Sequence, residues 1–199
     1  MAVHGGDCNT DKEIDYLMDY TAHYDSPLGG ITLGSDGKAL IGLWFDGQKY
    51  FADALYKEHA EQPELEIFDT TRRWLDIYFS GHAPDFTPPL LLRTTEFRRR
   101  VWEILLTIPF GQTMTYGDVS RIIAKERGLE SMSAQAVGGA VGHNSISLII
   151  PCHRVVGTSG SLTDYAGGID KKVWLLQMEG TLICLHSPKK RIFAENLTS

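Results

Sequence analysis

A cysteine followed directly by a histidine, Cys152-His153, is the clearest candidate for chemistry in this sequence. A cysteine attacks as a thiolate, so a reactive one needs a base or a positive environment. Arg154 adjoins the pair, and Glu179 follows closely enough to orient the imidazole as the acid of a catalytic triad does. Because adjacent residues of an extended chain point to opposite sides, a water or a sharp turn must complete the relay from Cys152 to His153.

The pair alone leaves other kinds of site open. A free cysteine is most often a small buried apolar side chain. A Cys-His-Glu hydrolase would also fit, provided that the fold supplies an oxyanion hole and the enzyme turns over acyl substrates. Cys8, Cys152 and Cys184 lack the paired C-x-x-C or H-x-x-x-H spacing typical of zinc sites. We therefore expect no bound metal.

Length and composition describe an ordinary globular protein. The 199 residues suffice for one large domain or two small ones, and the hydrophobic (43%) and charged (22%) fractions exclude a disordered chain, a coiled coil and a collagen-like fibre. We see neither an apolar run long enough to cross a membrane nor a secretory signal. Three scattered cysteines suit a reducing compartment. We expect a cytoplasmic protein, or a nuclear one in a eukaryote, with no membrane partner.

Charge is divided unevenly along the chain. Residues 1–85 contain 16 acidic and 6 basic residues, a balance of −10, whereas residues 86–199 contain 9 and 13, a balance of +4. This asymmetry indicates that only the second half meets polyanions. The alternative is that the run from Arg98 to Arg100 is simply the solvated face of a helix.

The first half reads as an α/β domain. Residues 1–18 are polar and predicted to be flexible. The apolar runs 31–33 and 39–45 flank an Asp-Gly pair, which predicts a β-hairpin. Helices are predicted over 51–60 and 66–80, and Gly and Pro residues with a change of charge sign place a domain boundary near 81–93. This makes 19–90 an N-terminal domain that is largely a scaffold.

The second half, 91–187, reads as mainly helical, and 188–199 is a tail. Helices are predicted over 97–108, 117–125 and from an N-cap at Ser133 to 141, the last two with the dimensions of a helix-turn-helix. The third helix consists of small residues, which suits tight packing on a neighbouring helix or close approach to a DNA groove. Residues 148–150 predict a buried strand, and 171–178 a helix ended by Gly180.

Several segments together resemble the O6-alkylguanine-DNA alkyltransferase family. The central one is Ile-Ile-Pro-Cys-His-Arg-Val-Val-Gly at 149–157, and Tyr-Ala-Gly-Gly at 165–168 continues the pattern. Upstream, Ile-Pro-Phe-Gly at 108–111 and the small-residue helix with Asn144 match as well. The resemblance is strong over 94–187 and looser over 20–93. It implies an α/β (α+β) fold, with an N-terminal sheet and helices followed by a helical reactive domain.

The resemblance implies direct-reversal DNA repair. Such proteins bind double-stranded DNA through a helix-turn-helix in the minor groove and rotate the damaged base out of the stack. A methyl or other alkyl group then passes irreversibly from O6-alkylguanine, and possibly from O4-alkylthymine, to Cys152. Each molecule would act once, as a monomer and without a cofactor.

Catalytic roles are implied by position in the same way. His153 would deprotonate Cys152 through a water, and Glu179 would hold the histidine tautomer. Asn144 would tie the end of the recognition helix to the active-site segment. Tyr116 would donate a proton towards guanine N3 as the base leaves.

Substrate contacts follow from the same pattern. The Tyr165 hydroxyl and the Ala166 amide would face O6, and Val141 would form an apolar wall. The carbonyls of Cys152 and Val155 would accept from the exocyclic amine. Arg154 completes the substrate-binding set. The implied DNA-binding residues are Thr115, Ser133, Gln135, Ala136, Gly138 and Gly139.

Two residues depart from the family pattern. Gln135 stands where the family usually carries an arginine that fills the space left by the extruded base. Glutamine brings no charge and less reach, so we expect weaker DNA affinity or slower base flipping with the chemistry retained. Asp164 places a carboxylate beside Tyr165, where it is unfavourable near phosphate unless it turns away, so lesion preference is expected to differ.

Two related classes compete with this interpretation. Non-catalytic sensors bind O6-alkylguanine and recruit other repair factors, but they carry tryptophan in place of the cysteine, and Cys152 argues against them. Adaptive-response transcription regulators share the reactive domain but require an N-terminal zinc module of clustered cysteines, which Cys8 alone cannot build.

Overall fold

A computed structural model describes residues 18–163 and 165–181. Nearly all of the predicted flexible start, the tail at 188–199, and Cys8, Asp164 and Cys184 lie outside these described residues. The expectations for them stay predictions.

The N-terminal half is built on a four-stranded sheet. Its strands are β1 (Asp19–Ser26), β2 (Gly29–Ser35), β3 (Leu40–Phe45) and β4 (His59–Glu61), in the order β3-β2-β1-β4. β1, β2 and β3 are antiparallel neighbours, and β4 pairs parallel with β1. Gly37 has a φ of 96° in the β2–β3 turn, so the predicted Asp-Gly hairpin is confirmed.

Helix α1 (Glu66–Phe79) covers this sheet, close to the predicted 66–80. Its buried face carries Phe68, Leu75 and Tyr78, which join Leu33 and Leu43 of the sheet in the core. Burying this apolar stripe supplies most of the reason for the helix to form here.

The predicted helix over 51–60 is wrong. Tyr50 and Ala52 have φ values of 57° and 58°, which an α-helix cannot contain, and the segment forms successive turns before β4. The backbone amide of Tyr56 donates to the buried carboxylate of Asp19 at 2.7 Å, and Arg93 pairs with the same carboxylate at 2.6 Å. These contacts to residues distant in the chain stabilise the turns over a helix.

The C-terminal half contains four helices among the described residues. They are α2 (Glu96–Leu106), α3 (Tyr116–Glu126), α4 (Ala134–Gly142) and α5 (Ile169–Met178). Ser133 caps α4 as predicted, by accepting from the amide of Ala136, and Gly180 follows α5 with a φ of 75°. The Trp102 indole donates to the Ala140 carbonyl at 2.8 Å and joins α2 to α4. β5 (Met114–Thr115) and β6 (Val155–Val156) form a short parallel pair.

The predicted strand over 148–150 is also wrong, although its residues are buried. Leu148 has a φ of 69°, and the amides of Ile149 and Cys152 donate to carbonyls only two residues earlier. The chain therefore coils tightly instead of extending. Strand-like pairing occurs just before this segment, where the backbone of Leu43 in β3 exchanges hydrogen bonds with the backbones of Ser145 and Ser147.

The N-terminal sheet thus holds the segment that leads to Cys152. Because β3 lies at one edge of the sheet, its free backbone groups can pair with 145–147 of the other half. The described residues contain no helix long and apolar enough to cross a membrane.

Candidate active site

Cys152 begins a single 3-10 turn, Cys152–Arg154, directly after Pro151. The side chain is 4% exposed, and its Sγ accepts a hydrogen bond from Asn144 Nδ2 at 3.1 Å. Burial raises the pKa of the Cys152 thiol, while the Asn144 hydrogen bond and the charge of Lys172 act in the opposite direction. The thiol is therefore protonated at rest and needs a base to become a nucleophile.

Asn144 lies just after the end of α4 and is itself fixed on several sides. Its Nδ2 also donates to the Ile150 carbonyl at 2.8 Å, and its Oδ1 accepts from the Ile146 amide at 3.0 Å. The side chain therefore joins the C-terminal end of α4 to the turn that carries Cys152.

His153 is fully buried and turned towards Glu179. Its Nε2 lies 2.8 Å from Glu179 Oε1, whereas its Nδ1 has no hydrogen-bond partner among the described residues. Burial lowers the pKa of His153, against the effect of the Glu179 carboxylate, so the ring is neutral at rest. With Nε2 donating to Glu179, Nδ1 is left with a lone pair that can accept a proton.

The Glu179 carboxylate is the hub of this buried network. Oε1 accepts from His153 Nε2, from Arg154 Nη2 at 3.0 Å and from the Tyr78 hydroxyl at 2.7 Å. Oε2 accepts from Arg154 Nε at 2.9 Å and from the Gly111 amide at 3.2 Å. Burial alone would raise the pKa of Glu179, but its hydrogen bonds with His153 and Arg154 lower it to about 2. The carboxylate therefore stays ionised.

Tyr78 is a member of this network that the sequence analysis missed. Its hydroxyl also lies 3.2 Å from His153 Nε2, so helix α1 of the N-terminal half reaches the relay directly. A tyrosine on an otherwise apolar helix face was the available signal, because a buried hydroxyl needs a partner. The N-terminal half is therefore more than the scaffold that was predicted.

Lys172 is a second missed residue, on α5. Its side chain is fully buried, and Nζ donates to the Val155 carbonyl at 2.6 Å. That carbonyl is one of the two, with the Cys152 carbonyl, that are expected to accept from the guanine amine. Lys172 therefore fixes the backbone after the Cys152 turn and brings positive charge near the thiol.

A cavity of about 700 Å³ lies beside this network. Its walls come from α4, from the start of α3, from the loop after β6 and from residues 49–50 of the N-terminal half. Six predicted site residues meet there: Tyr116, Gln135, Gly138, Gly139, Tyr165 and Ala166. Lys49, Tyr50 and His143 also line it and were not predicted.

Two tyrosines of the cavity wall carry hydroxyl groups that can hydrogen-bond to a base in the cavity. The Tyr165 hydroxyl is buried without a hydrogen-bond partner among the described residues. Burial and the nearby Cys152 raise the pKa of Tyr165, so it remains a proton donor. Tyr116 accepts a hydrogen bond from Thr163 Oγ1 at 3.0 Å.

The remaining predicted residues do not line the cavity. The Arg154 guanidinium donates to Glu179 and, at 2.7 Å, to the Ile108 carbonyl, so it supports the relay. Val141 is packed in the core. The Thr115 hydroxyl caps α3 in a capping box with Asp118, as Ser133 caps α4. Val155 is fully buried, and Ala136 is exposed on α4 outside the cavity wall.

The arrangement can activate a buried thiol beside a cavity lined by hydroxyls and small residues. With Cys152 held by Asn144 and His153 held by Glu179, these residues can perform nucleophilic attack by sulfur with a histidine base. Within residues 18–163 and 165–181, no group of three or more His, Cys, Asp or Glu side chains could hold a metal ion.

Comparisons with known proteins agree with this chemistry. Residues 96–181 match the model of the 6-O-methylguanine DNA methyltransferase DNA binding domain, and residues 20–92 match its ribonuclease-like domain. The methylated-DNA--protein-cysteine methyltransferase of Mycobacterium tuberculosis is 42% identical over 160 residues, which cover 79% of this chain and 92% of the relative. That of Methanosarcina acetivorans is 37% identical over 167 residues, covering 81% and 99%.

Among solved structures, Mycobacterium tuberculosis OGT in complex with DNA superposes with a TM-score of 0.68 at 40% identity, covering 81% of this chain and 92% of that one. The mixed α/β architecture is therefore shared, with an N-terminal sheet and a helical C-terminal half. Both halves of the sequence match models of one family, and the relatives are similar over most of their length. The chain belongs to the 6-O-methylguanine DNA methyltransferase family.

Proposed function

We propose that this chain repairs DNA by direct reversal, transferring an alkyl group from O6 of guanine to its own Cys152. A bond forms between Sγ and the alkyl carbon, and the bond from that carbon to O6 breaks with its electron pair leaving on guanine. The thioether product is stable, so each molecule acts once. The observation that supports this is a thiol held by Asn144, a histidine base held by Glu179, and an adjacent cavity carrying Tyr165.

The relay proposed for thiol activation uses the free nitrogen of His153. Nδ1 takes the Cys152 proton through a bridging water, and Glu179 stabilises the resulting imidazolium. Tyr165 donates to O6, and Tyr116 supplies a proton to guanine N3 as the base departs. O4-alkylthymine would present an oxygen with similar chemistry and is a second candidate substrate.

For DNA binding we propose that α3 and α4 act as a helix-turn-helix in the minor groove. The cavity wall of α4 carries Ala134, Gln135, Gly138 and Gly139, and such small side chains let the helix backbone approach the narrow minor groove closely. The damaged base would rotate into the cavity of about 700 Å³, since its O6 substituent is out of reach inside the duplex.

We also infer a monomer that needs no cofactor. One chain supplies the nucleophile, the base and the cavity. The thiolate takes the alkyl group and guanine leaves, so the reaction consumes no further reagent. A cysteine that must stay a thiol works best in a reducing compartment, which favours the cytoplasm, or the nucleus of a eukaryote.

The experiment is intact-protein mass spectrometry before and after mixing with duplex DNA that carries one O6-methylguanine. The wild-type protein should gain one methyl group, located on the peptide containing Cys152, and the gain should stop at one per molecule. Cys152→Ala should gain none, whereas the matched control Cys8→Ala/Cys184→Ala should react as the wild type does. Methyl uptake by Cys152→Ala, or none by the wild type, refutes the proposal.

A further inference from the structure

The cavity has a wall that the family's DNA-binding domain does not supply. Lys49 and Tyr50 belong to residues 20–92, which match the ribonuclease-like domain, yet they line the same cavity as α4. The charge balance of −10 over residues 1–85 gave no reason to expect a DNA contact from this half.

This segment is firmly attached on both sides. The Lys49 amide donates to the Ala166 carbonyl at 3.2 Å, which ties the segment to the loop beyond Cys152. Gln48 is buried, and its Oε1 accepts from the Phe45 amide at 3.0 Å. Residues 48–50 are therefore a fixed part of the cavity wall.

Tyr50 itself is held in an unusual position. Its φ of 57° lies in the left-handed region, which costs a non-glycine residue on the order of 1 kcal/mol. Its ring stacks on the His143 imidazole with centroids 3.9 Å apart and planes inclined by 24°. His143 caps α4, and its Nδ1 lies 2.8 Å from the Gly139 carbonyl. The ring is nevertheless 46% exposed, so it still offers apolar surface.

The charges around this stacked pair are mixed. Lys49 adds a positive charge, and Asp53, whose pKa is raised by burial, interacts with both His143 and Arg98. Lys49 and Arg98 offset the Asp53 carboxylate, so the site does not repel a phosphate backbone as the rest of the N-terminal half would.

We propose that the Tyr50–His143 pair is a stacking platform for DNA, contributed jointly by the two halves, that receives a base flanking the extruded nucleotide. The platform adjoins the outward face of α4, so a duplex bound to α4 meets it, and every base has a face that can stack on an aromatic ring. This inference rests on the proposed function for its ligand, DNA.

The test measures affinity for duplex DNA carrying one O6-methylguanine, in a Cys152→Ala background where no transfer can occur. Removing a base–aromatic stack weakens binding roughly 5- to 100-fold, so Tyr50→Ala should show a loss in that range. Tyr50→Phe keeps the ring and should bind as the parent does. Phe51→Ala is the matched control, because Phe51 is equally exposed but packs against Trp44 outside the cavity.

Tyr50→Gly provides a second variant, since glycine adopts a φ of 57° without strain and removes only the ring. It should lose affinity as Tyr50→Ala does. Parent-like binding by Tyr50→Gly, or equal binding by Tyr50→Ala and Phe51→Ala, overturns the inference. A slower reaction of Tyr50→Ala with free O6-benzylguanine, measured in protein that retains Cys152, also overturns it if DNA affinity is unchanged, because the ring would then contact the O6 substituent instead of a flanking base. A protein that binds DNA through Tyr50 but takes up no alkyl group would refute the proposed function alone.

Discussion

Replacing Tyr78 with phenylalanine removes one hydroxyl from the buried relay and leaves the ring in place. That ring stacks on Trp74 at 5.2 Å and meets Phe110 edge-on at 6.0 Å between centroids, so Tyr78→Phe preserves the packing. What is lost is the 2.7 Å hydrogen bond to Glu179 Oε1, together with the contact at 3.2 Å to His153 Nε2.

The size of the effect follows from the charge on the acceptor. A hydrogen bond to a charged group contributes about 1.5–3 kcal/mol to stability. Glu179 would keep its donors from His153, Arg154 and Gly111, so the larger cost of an unpaired buried charge does not apply. We expect the free energy of unfolding to fall by about 2 kcal/mol, roughly a thirtyfold change in the folding equilibrium constant.

Urea unfolding at pH 7, followed by tryptophan fluorescence, measures this loss. Tyr24→Phe is the matched control, because its hydroxyl donates to a carboxylate of Asp76 at 2.8 Å on the exposed surface of the same half. An exposed hydrogen bond of this kind should contribute no more than about 0.5 kcal/mol.

Replacing Glu179 with glutamine removes the charge of the acceptor and keeps an oxygen for the Tyr78 hydrogen bond, so it shows how much of the effect depends on the charge. In a Glu179→Gln background, Tyr78→Phe should cost less than about 1 kcal/mol, because the hydrogen bond no longer meets a full charge. Equal unfolding midpoints for Tyr78→Phe and Tyr24→Phe, or an unchanged cost in the Glu179→Gln background, would refute the reasoning.

Three further predictions concern the site. Asn144→Ala removes the donor to Cys152 Sγ and should slow alkyl transfer about tenfold or more, measured in single-turnover assays with O6-methylguanine duplex, because an uncompensated thiolate is harder to form. Stability should fall on acidification, because the pKa of His153 in the folded protein lies below its usual 6.5 and that of Glu179 lies at about 2, below its usual 4.5. The stability that each group contributes is complete above its pKa in the unfolded chain and is lost as the pH falls towards its pKa in the folded protein. Gln135→Arg should strengthen DNA binding. It should also steepen the slope of log K against log salt concentration by about one, the change expected for one added phosphate contact, as measured by titration at several salt concentrations.

Each of these has an outcome that contradicts it. Asn144→Ala reacting at the wild-type rate would remove its role at the thiol. A free energy of unfolding that rises between pH 6.5 and pH 4.5 would contradict the sign worked out for His153. Equal affinity and transfer rate for Gln135→Arg and wild type would mean that the missing arginine limits neither DNA binding nor base flipping in this chain.

Local signals predicted most of the elements correctly. The hairpin at Asp36-Gly37, the N-cap at Ser133 and the stop at Gly180 depend on backbone preferences of one or two residues, so they can be identified without the fold. Amphipathic spacing identified α1 and α2 in the same way.

The two wrong elements lie where distant contacts override local preference. Residues 51–60 form turns because Asp19, 37 residues earlier in the chain, accepts a hydrogen bond from the Tyr56 amide. Residues 148–150 are apolar and buried, as a central strand would be, yet β3 pairs with 145–147 instead and Leu148 turns the chain immediately afterwards. Neither contact leaves a trace in the local sequence.

The sequence by itself determined the chemistry, since Cys152, His153 and Glu179 lie within one short segment whose pattern matches a known family. Only the tertiary structure decided which other groups support that chemistry. Tyr78 meets Glu179 across 101 residues of chain, and Tyr50 reaches His143 from the other half. Such contacts depend on how a sheet edge and two helix faces pack together, and the packing satisfies buried polar groups that no local pattern pairs.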